Sequence, residues 1–418
     1  HIMLIYTLDI ETTCDDALLS RFADHQQVKA TPDLDYHPVA QAPATLTERP
    51  IVIGFGPCGL LAALVLAQMG YKPIVLERGK EVRERTKDTF GFWRKKILNT
   101  ESNVQFGEGG AGTFSDGKLY SQVKDPKQYS GEQLYSKHIA IAIGHSARDT
   151  FEMIHNKGVY IEAKPFSVGF RIEHEQSAID KARFGPNAGN EILGAADYKL
   201  VHHCKNGRSV YSFCMCPGGT VVAATSEENR VVTNGMSQYS RNERNANSAV
   251  VVGIDPSDYP GGPLAGIEFQ RKLESHAFVM GGSNYDAPAQ TVGAFLRGET
   301  QEHVGTVEPS FKPGIKLTNL ADALPDFCIE ALREAIPAFN KKVRGFAFED
   351  ALLTGVETRT SAPINITRDK YSLESVNTKG LYPAGEGAGY AGGIMSAAID
   401  GIKIAEAMAL SINNTMKV

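Results

Sequence analysis

The sequence has no long run of basic residues and no marked excess of either charge. Its 43 lysines and arginines are scattered along 418 residues, and the formal net charge is -5. Nothing in this distribution favours nucleic acid or an anionic membrane as a partner. We therefore expect a small-molecule substrate. The sequence does not indicate an oligomeric state.

Cysteine is also scarce. The six cysteines have neither the paired spacing of a metal site nor the density of a disulfide-stapled domain: Cys14, Cys58, Cys204, Cys214, Cys216 and Cys328. We therefore expect a reducing, cytoplasmic environment and no bound metal. The chain opens without the basic and apolar pattern of a secretory signal, which agrees with that expectation.

One uncharged stretch, Pro50–Tyr71, is long enough to suggest a membrane span. Gly54, Gly56, Pro57 and Gly59 lie inside it, where they would interrupt a membrane helix. We therefore reject the membrane interpretation and expect a strand, a glycine turn and a helix.

The length predicts two or three domains. A strand-like run at Leu4–Ile10 and a helix at Asp15–Phe22 precede a proline-punctuated linker, Thr31–Pro50. From Ile51 an apolar run, a helix at Leu60–Met69 and a strand at Pro73–Leu76 predict a βαβ unit and hence a parallel sheet.

The predicted fold class is α/β. A discontinuous Rossmann-like nucleotide-binding domain carries an inserted α+β substrate domain and a small N-terminal α+β module. The expected boundaries are 1–48 for the module and linker, 49–165 and 346–418 for the two parts of the nucleotide domain, and 166–345 for the substrate domain.

The segment IVIGFGPCG, residues 51–59, places G-x-G-x-x-G between a strand and a helix. Gly54 permits the tight turn, Gly56 lets the backbone approach a pyrophosphate, and Gly59 allows the helix to pack closely on the strand. Pro57, within the same turn, is a further candidate cofactor-binding residue. The amide groups of the helix start are then available to bind phosphate.

The second strand ends at Glu77, followed by Arg78. About 20 residues after the glycine turn, an acid at this position is expected to accept hydrogen bonds from the adenosine ribose hydroxyls. It would repel a 2′-phosphate, so a 2′-phosphorylated dinucleotide is disfavoured there. These residues alone leave both NAD and FAD open.

Two further segments extend the predicted cofactor site. Residues 107–119, GEGGAGTFSDGKL, form a loop with bare backbone and hydroxyl groups, and its candidate cofactor ligands are Gly109, Gly110, Ser115 and Lys118. Residues 381–387, LYPAGEG, end a strand with an acid. The candidates in and after that strand are Gly385, Glu386, Gly392, Gly393 and Ile394, the last three opening a helix.

These two segments resemble bacterial FAD-dependent dehydrogenases of uncharacterised specificity, within the glutathione-reductase-like flavoprotein superfamily. The resemblance extends from Ile51 onward, and it implies FAD as the cofactor. Glu386 stands where flavoproteins place an acid hydrogen-bonded to the ribityl chain, although the usual residue there is Asp. The helix from Gly392 would direct its positive end to the flavin N1–O2 edge and favour hydride acceptance.

The same resemblance identifies Ile139–Gly144 as the segment that returns to the sheet, with Gly144 near the cofactor. Only 28 residues separate Gly112 from Ile141. Related flavoproteins have a longer segment there, including a strand that covers the adenine. This indicates that residues are absent near Ser130–Ala140.

Candidates for chemistry lie in the middle of the chain. Strand-like runs at Tyr198–Cys204 and Ser209–Met215 flank Asn206-Gly207, which predicts a hairpin. Cys214 and Cys216 are expected to share one strand face. They are either a redox thiol pair facing the flavin or two buried cysteines beside a glycine turn.

Two neighbouring histidines and two arginines complete the candidates. His202 and His203 point to opposite strand faces, so His203 is either a substrate-facing group or a structural histidine, and the pair is not expected to bind metal. Arg171 and Arg359 offer the planar donor fork that matches a carboxylate. Each either holds an anionic substrate or takes part in a surface ion pair.

The predicted function is an FAD-dependent oxidoreductase that transfers hydride or electrons between the flavin and a small molecule. The two other G-x-G-x-x-G matches, at residues 107–112 and 387–392, lie in segments already assigned to the same cofactor site, so NAD(P)H is expected only as a transient reductant at the flavin itself. A flavin monooxygenase and a non-catalytic flavin-binding sensor or scaffold remain as alternatives.

Overall fold

The computed structural model describes residues 3, 5–114 and 134–415. The chain divides into two compact units, residues 1–39 and 40–418. In the first unit, helix α1 covers Asp15–Arg21, with two acids in its first turn and Arg21 in its last. The predicted strand at Leu4–Ile10 is wrong, because residues 5–10 form no strand in the described backbone and Ile5 is 90% exposed.

The second unit contains the remaining elements. Its helices are α2 Pro57–Gln68, α3 Val82–Lys95, α4 Arg148–Asn156, α5 Gln176–Phe184, α6 Ala265–Met280, α7 Val292–Arg297, α8 Asp326–Asn340 and α9 Ile394–Thr415. Its strands are β1 Ile51–Ile53, β2 Ile74–Leu76, β3 Ile139–Ile141, β4 Ile161–Ala163, β5 Phe166–Glu175, β6 Val201–His203, β7 Ser209–Cys216, β8 Gly219–Ala223, β9 Thr233–Ser237, β10 Asn245–Ile254, β11 Ala287–Thr291, β12 Ile315–Leu317, β13 Leu352–Glu357, β14 Ile364–Ile366 and β15 Leu381–Pro383.

A four-stranded parallel sheet has the order β15-β3-β1-β2. The predicted βαβ unit is confirmed, since β1, α2 and β2 follow one another and the two strands pair in parallel. The outer strand β15 comes from far along the chain. One sheet is therefore assembled from two separated segments.

Helices α2 and α9 pack tightly against each other beside this sheet. Val52, Leu66 and Met408 are fully buried in their common core. At Gly401 a Cβ atom would lie only 2.1 Å from the carbonyl oxygen of Cys58, so glycine is required where the two helices approach.

A seven-stranded sheet has the order β12-β11-β13-β5-β10-β7-β6 and is antiparallel except for the β11–β12 pair. Its centre is the long pairing of β5 with β10, from Phe166↔Ile254 to Glu175↔Asn245. Apolar residues of this sheet and of α8 form the largest core. The hairpin predicted at Asn206-Gly207 is confirmed, because β6 and β7 pair antiparallel across it.

The uncharged stretch at residues 50–71 forms β1, the glycine turn and α2. Within the described ranges, no helix is both long and apolar enough to cross a bilayer.

Candidate functional site

A cavity of about 420 Å³ lies where strands β1, β2, β3 and β15 end. The residues that follow each strand line it, together with the loop at 105–112 and the first turn of α9. The carboxyl edge of a parallel sheet is the usual ligand-binding position in α/β folds. The cavity therefore lies where the sequence predicted the cofactor.

The glycine turn after β1 forms one wall of the cavity. Gly54 has φ +98°, and a Cβ atom there would lie 2.4 Å from the carbonyl oxygen of Ala142. Gly59 is equally constrained, because its Cβ would lie 1.9 Å from the oxygen of Gly54. Helix α2 then begins at Pro57 with no side-chain cap and no acid in its first turn. Its amide groups are left to an anionic ligand.

Gly56 provides a test that separates cofactor binding from folding. Its φ is −75°, and the nearest atom to an added Cβ is Gly110 Cα at 3.8 Å, so alanine fits the folded protein. The new methyl group would obstruct a pyrophosphate at the turn, and we expect Gly56→Ala to weaken FAD binding by about tenfold or more, roughly 1.4 kcal/mol. Equilibrium dialysis with FAD measures this.

The matched control is Gly91→Ala in α3, where an added Cβ meets no atom within 4 Å. That variant should bind FAD like the original protein. Unchanged FAD affinity in Gly56→Ala would show that the glycine turn does not approach the cofactor.

Glu77 joins three pieces of backbone at the cavity wall. Its Oε2 accepts a hydrogen bond from the Phe55 amide at 2.8 Å, and its Oε1 accepts from the amides of Gly79 and Gly107 at 2.9 and 3.0 Å. A carboxylate oxygen can accept more than one hydrogen bond, so Glu77 can also bind a ribose hydroxyl. Its backbone contacts are a structural role that the sequence did not reveal.

Arg78 lines the cavity beside Glu77. It pairs with Glu101 and Asp149, each at 2.9 Å, and its guanidinium lies 4.5 Å from the ring centroid of Phe106. Because two carboxylates already balance the charge of Arg78, we do not expect this side chain to bind a phosphate group strongly.

The loop that follows α3 is held by one buried arginine, Arg85. Its guanidinium donates to the carbonyl oxygens of Asn103, Val104 and Glu108 at 2.7–2.8 Å, and to Thr113 Oγ1 at 3.0 Å. Burial lowers the pKa of Arg85 to about 10, which still leaves it charged at neutral pH. This side chain fixes the shape of the loop that contributes Gly110 and Gly112 to the cavity.

His145 and Glu386 meet inside the cavity, with Nε2 and Oε1 3.8 Å apart. Burial raises the pKa of Glu386 to about 7, and the charge of Lys164 partly opposes this shift. Burial and the charges of Arg359 and Arg148 lower the pKa of His145 to about 3. At neutral pH the pair is thus a neutral histidine beside a carboxyl group close to half-protonation.

Behind His145 lies a buried ion cluster made by Arg148, Glu274 and Arg359. Glu274 is fully buried and accepts from both arginines at 2.7–3.1 Å. Although its burial acts in the opposite direction, the two arginines hold the pKa of Glu274 well below its ordinary value. Arg359 also donates to Ser146 Oγ at 3.0 Å. The cluster connects α4 beside the cavity to α6 and to the segment after β13.

The predicted cofactor residues fall into three groups. Those that line the cavity are Gly54, Gly56, Pro57, Glu77, Arg78, Gly110, Gly144, Glu386 and Ile394. Those that lie outside the lining are Gly59, Gly109, Gly385, Gly392 and Gly393. Ser115 and Lys118 fall outside the described residues.

The residues outside the lining make backbone hydrogen bonds that hold the cavity walls in place. Gly109 has φ +82° and donates its amide to the Phe55 carbonyl at 2.9 Å. Gly385 donates to Asp400 at 2.7 Å, and Gly393 accepts from the Ala397 amide in the first turn of α9.

The two predicted substrate arginines do not line the cavity. Arg171 is fully buried and donates to Asn247 Oδ1 and to the Cys214 carbonyl. Arg359 is 5% exposed and is engaged by Glu274 and serine hydroxyls. Neither guanidinium lines the cavity, and both are buried, so neither forms the surface ion pair that was the alternative.

The expectation that Cys214 and Cys216 share a strand face assumed regular alternation, which a β-bulge interrupts; the two thiols stay adjacent, since the Cys214 thiol and burial raise the pKa of Cys216. Asn247 pairs with Cys216 and Ala249 with Phe213, so β7 has one extra residue in a β-bulge. Cys214 takes φ +44° there and is exposed, whereas Cys216 is buried. Neither cysteine is in a disulfide, and neither lines the cavity.

His203 also lies away from the cavity. It is exposed on the outermost strand β6, where its Nδ1 lies 2.9 Å from Ser209 Oγ. We therefore do not retain it as a candidate for chemistry.

The fold and the cavity together define a dinucleotide-binding α/β protein. A family model described as "FAD-dependent protein, C-terminal domain-like" matches residues 165–360, the range that contains the seven-stranded sheet. An uncharacterised protein of Clostridium beijerinckii is 43% identical over 474 residues, covering 97% of this chain and 89% of the relative. The chain belongs to the same family as the clostridial protein, its middle part matches the FAD-dependent family model, and its cofactor is FAD.

A solved structure, that of CtdE in complex with FAD, is also similar. It is 12% identical, with a TM-score of 0.31, and the match covers 89% of this chain and 87% of that chain.

The clostridial alignment is longer than this chain, so the relative carries additional residues within the aligned range. The gap predicted near residues 130–140 lies partly outside the described residues and stays a prediction.

The residues present fit FAD. The glycine turn brings bare backbone to the cavity, and the start of α2 offers amide groups to a pyrophosphate. Helix α9 likewise begins at the cavity with Ile394 and has no acid in its first turn. Two helix starts therefore face one elongated ligand site.

Proposed function

We propose that the chain is an FAD-dependent oxidoreductase that transfers hydride or electrons between the flavin and a small molecule. Its Rossmann-like domain binds the cofactor, and the seven-stranded region forms the substrate domain. The observation that carries the proposal is the His145–Glu386 pair, a carboxyl group with a pKa of about 7 placed 3.8 Å from an imidazole inside the cofactor cavity. A titrating group in such a position is suited to proton transfer.

When bound, FAD supplies two-electron chemistry. The chain's own residues bind and orient the reactants and hold protons. The amides at the start of α2 bind the pyrophosphate, and Glu386 holds a proton on its carboxyl group below about pH 7. His145 stays neutral, so its ring both donates and accepts hydrogen bonds.

The substrate is proposed to approach Glu386 from the side of Lys164 and Cys214. Lys164 lowers and Cys214 raises the pKa of Glu386, so both side chains lie within electrostatic range of it. Because Arg171 and Arg359 are engaged elsewhere, Lys164 is the cation best placed to attract an anionic substrate. NAD(P)H would serve as a transient reductant at the same face.

An absorption spectrum of the purified protein and stopped-flow reduction by NADH, NADPH and dithionite test the proposal. A flavin spectrum, rapid reduction by a nicotinamide and reoxidation by an unsaturated or carboxylic metabolite are expected. Rapid reduction only in the presence of an aromatic or amine substrate would identify a monooxygenase instead. Slow reduction by every donor, with no metabolite reoxidising the flavin, would contradict an enzyme and indicate a sensor.

The pKa of Glu386 makes a separate prediction for the FAD-free protein. In the folded state its carboxyl group keeps a proton up to about pH 7, whereas the ordinary pKa is 4.5. Between these values the folded state binds more protons than the unfolded state, so the contribution to stability falls as pH rises. Glu386→Gln removes this dependence, and its stability relative to the original protein should rise by about 2 kcal/mol from pH 5 to pH 8.

Urea unfolding at several pH values measures this difference. Burial also raises the pKa of Glu357 to about 7. Because Glu357 is present in both proteins, its contribution to the pH dependence of stability cancels when the two are compared. A difference that stays constant with pH would show that Glu386 keeps an ordinary pKa.

A further inference from the structure

A second group of chemically reactive side chains lies outside the cofactor cavity, where the β6–β7 hairpin meets α8. His202 is in β6, Cys204 follows directly after this strand, and Glu334 is in α8. His202 Nε2, Cys204 Sγ and a carboxylate oxygen of Glu334 all lie within 4.8 Å of one another. None of the three lines the cofactor cavity.

The spacing of these atoms suits a small tetrahedral cation. Zinc binds histidine nitrogen and carboxylate oxygen at about 2.0–2.1 Å, which separates two ligands of one ion by roughly 3.3 Å. His202 Nε2 and Glu334 Oε1 are already 3.1 Å apart. Cys204 Sγ lies within 4.8 Å of both atoms, and the zinc–sulfur distance of about 2.3 Å requires roughly 3.6 Å, so the sulfur must approach each by at most about 1.2 Å.

Access and support also agree with a metal site. Cys204 is buried, whereas the side chains of His202 and Glu334 are 27% and 31% exposed, so an ion can enter from solvent and keep a water as its fourth ligand. The Lys205 amide donates to Glu334 Oε2 at 3.2 Å and orients the carboxylate. Hydrogen bonds of this kind commonly hold metal ligands in place.

The charges favour a divalent ion. A zinc-bound cysteine is a thiolate, so the two positive charges of Zn²⁺ would balance one thiolate and one carboxylate. Two nearby cations are engaged elsewhere, since Lys342 donates to the Val201 carbonyl and Arg208 pairs with Asp258.

We propose that His202 Nε2, Cys204 Sγ and one carboxylate oxygen of Glu334 form a Zn²⁺ site that fastens the β6–β7 hairpin to α8. The site is structural and separate from the cofactor cavity. Thiolate, imidazole and carboxylate together select zinc over magnesium or calcium, which prefer oxygen ligands alone.

The test uses the tag-free, FAD-loaded protein after dialysis against a chelator. Equilibrium dialysis with Zn²⁺ should give equimolar binding, and added zinc should raise the melting temperature by a few degrees. His202→Ala and Cys204→Ser should each weaken zinc binding by about tenfold or more and abolish the thermal shift. His203→Ala is the matched control, because His203 is the adjacent histidine with its side chain on the other strand face.

The unfolding temperature of each variant without metal shows whether it folds, and the flavin spectrum shows whether the cofactor site is intact. Zinc binding that persists in His202→Ala and Cys204→Ser, or that is lost equally in His203→Ala, would overturn the proposal. So would an original protein that binds no zinc above the buffer blank. Each of these outcomes is independent of flavin reduction.

Discussion

Replacing Glu274 by leucine is expected to lower the free energy of unfolding by about 3–5 kcal/mol. Glu274 is the buried carboxylate shared by Arg148 and Arg359, both of which are at most 5% exposed. Without it two guanidinium groups would remain close together in the interior with only the half-buried Glu227 to offset their charge. Urea unfolding followed by circular dichroism measures the loss.

Glu268→Leu in the same helix α6 is the matched control. Glu268 is 60% exposed and pairs with Arg271 at 2.6 Å, and exposed ion pairs contribute little, about 0–1 kcal/mol. If the two variants lost equal stability, the buried cluster would have no special role in joining α4, beside the cavity, to α6 and the segment after β13.

Replacing Arg85 by methionine is expected to reduce FAD affinity by about 100-fold, roughly 2.7 kcal/mol. Methionine keeps most of the buried volume but cannot donate to the three backbone carbonyls that Arg85 now satisfies. The three carbonyl oxygens would then lack a hydrogen-bond donor in the protein interior. The loop at residues 103–113 would rearrange to expose them to water and would no longer form one side of the cavity. Fluorescence titration of the FAD-free protein gives the dissociation constant.

Arg83→Met in the same helix is the control, because Arg83 is exposed. Its FAD affinity should be unchanged. Circular dichroism of Arg85→Met should still show a folded protein, since most of the core lies elsewhere. Tight FAD binding by Arg85→Met would mean that the loop holds its conformation by itself.

The parts of the fold that sequence reasoning predicted are those encoded locally. The glycine turn at Gly54, the helix after it and the strand at β15 each depend on residues next to one another in the chain. The spacing of glycines and apolar runs is sufficient to identify them. The predicted strand at Leu4–Ile10 failed because a strand also needs a partner, which local pattern does not supply.

The parts that were missed depend on distant partners. Arg85 contacts residues 18–28 positions away, and Glu274 contacts Arg148 across 126 positions. Nothing in the local sequence distinguishes these buried charges from surface ones. For the same reason Arg171 and Arg359 were plausible substrate ligands by chemistry, although folding engages them internally.

The expectation for the two cysteines assumed a regular strand, and a single inserted residue interrupts the strand there. Alternation along a strand places residues two apart on the same face only while the ladder stays regular. The bulge at Cys214 changes which side of the sheet the following residue faces. A positive φ at a cysteine has no sequence signal of its own.

The order of strands along the chain has a consequence for biosynthesis. The seven-stranded sheet has all its strands by residue 357, whereas the nucleotide sheet waits for β15 at residues 381–383 and its covering helix α9. During synthesis from the amino terminus, β1, α2, β2 and β3 therefore emerge long before their last partner strand. The cofactor cavity therefore cannot be completed before β15 and α9 have been synthesised, which is after every strand of the seven-stranded sheet.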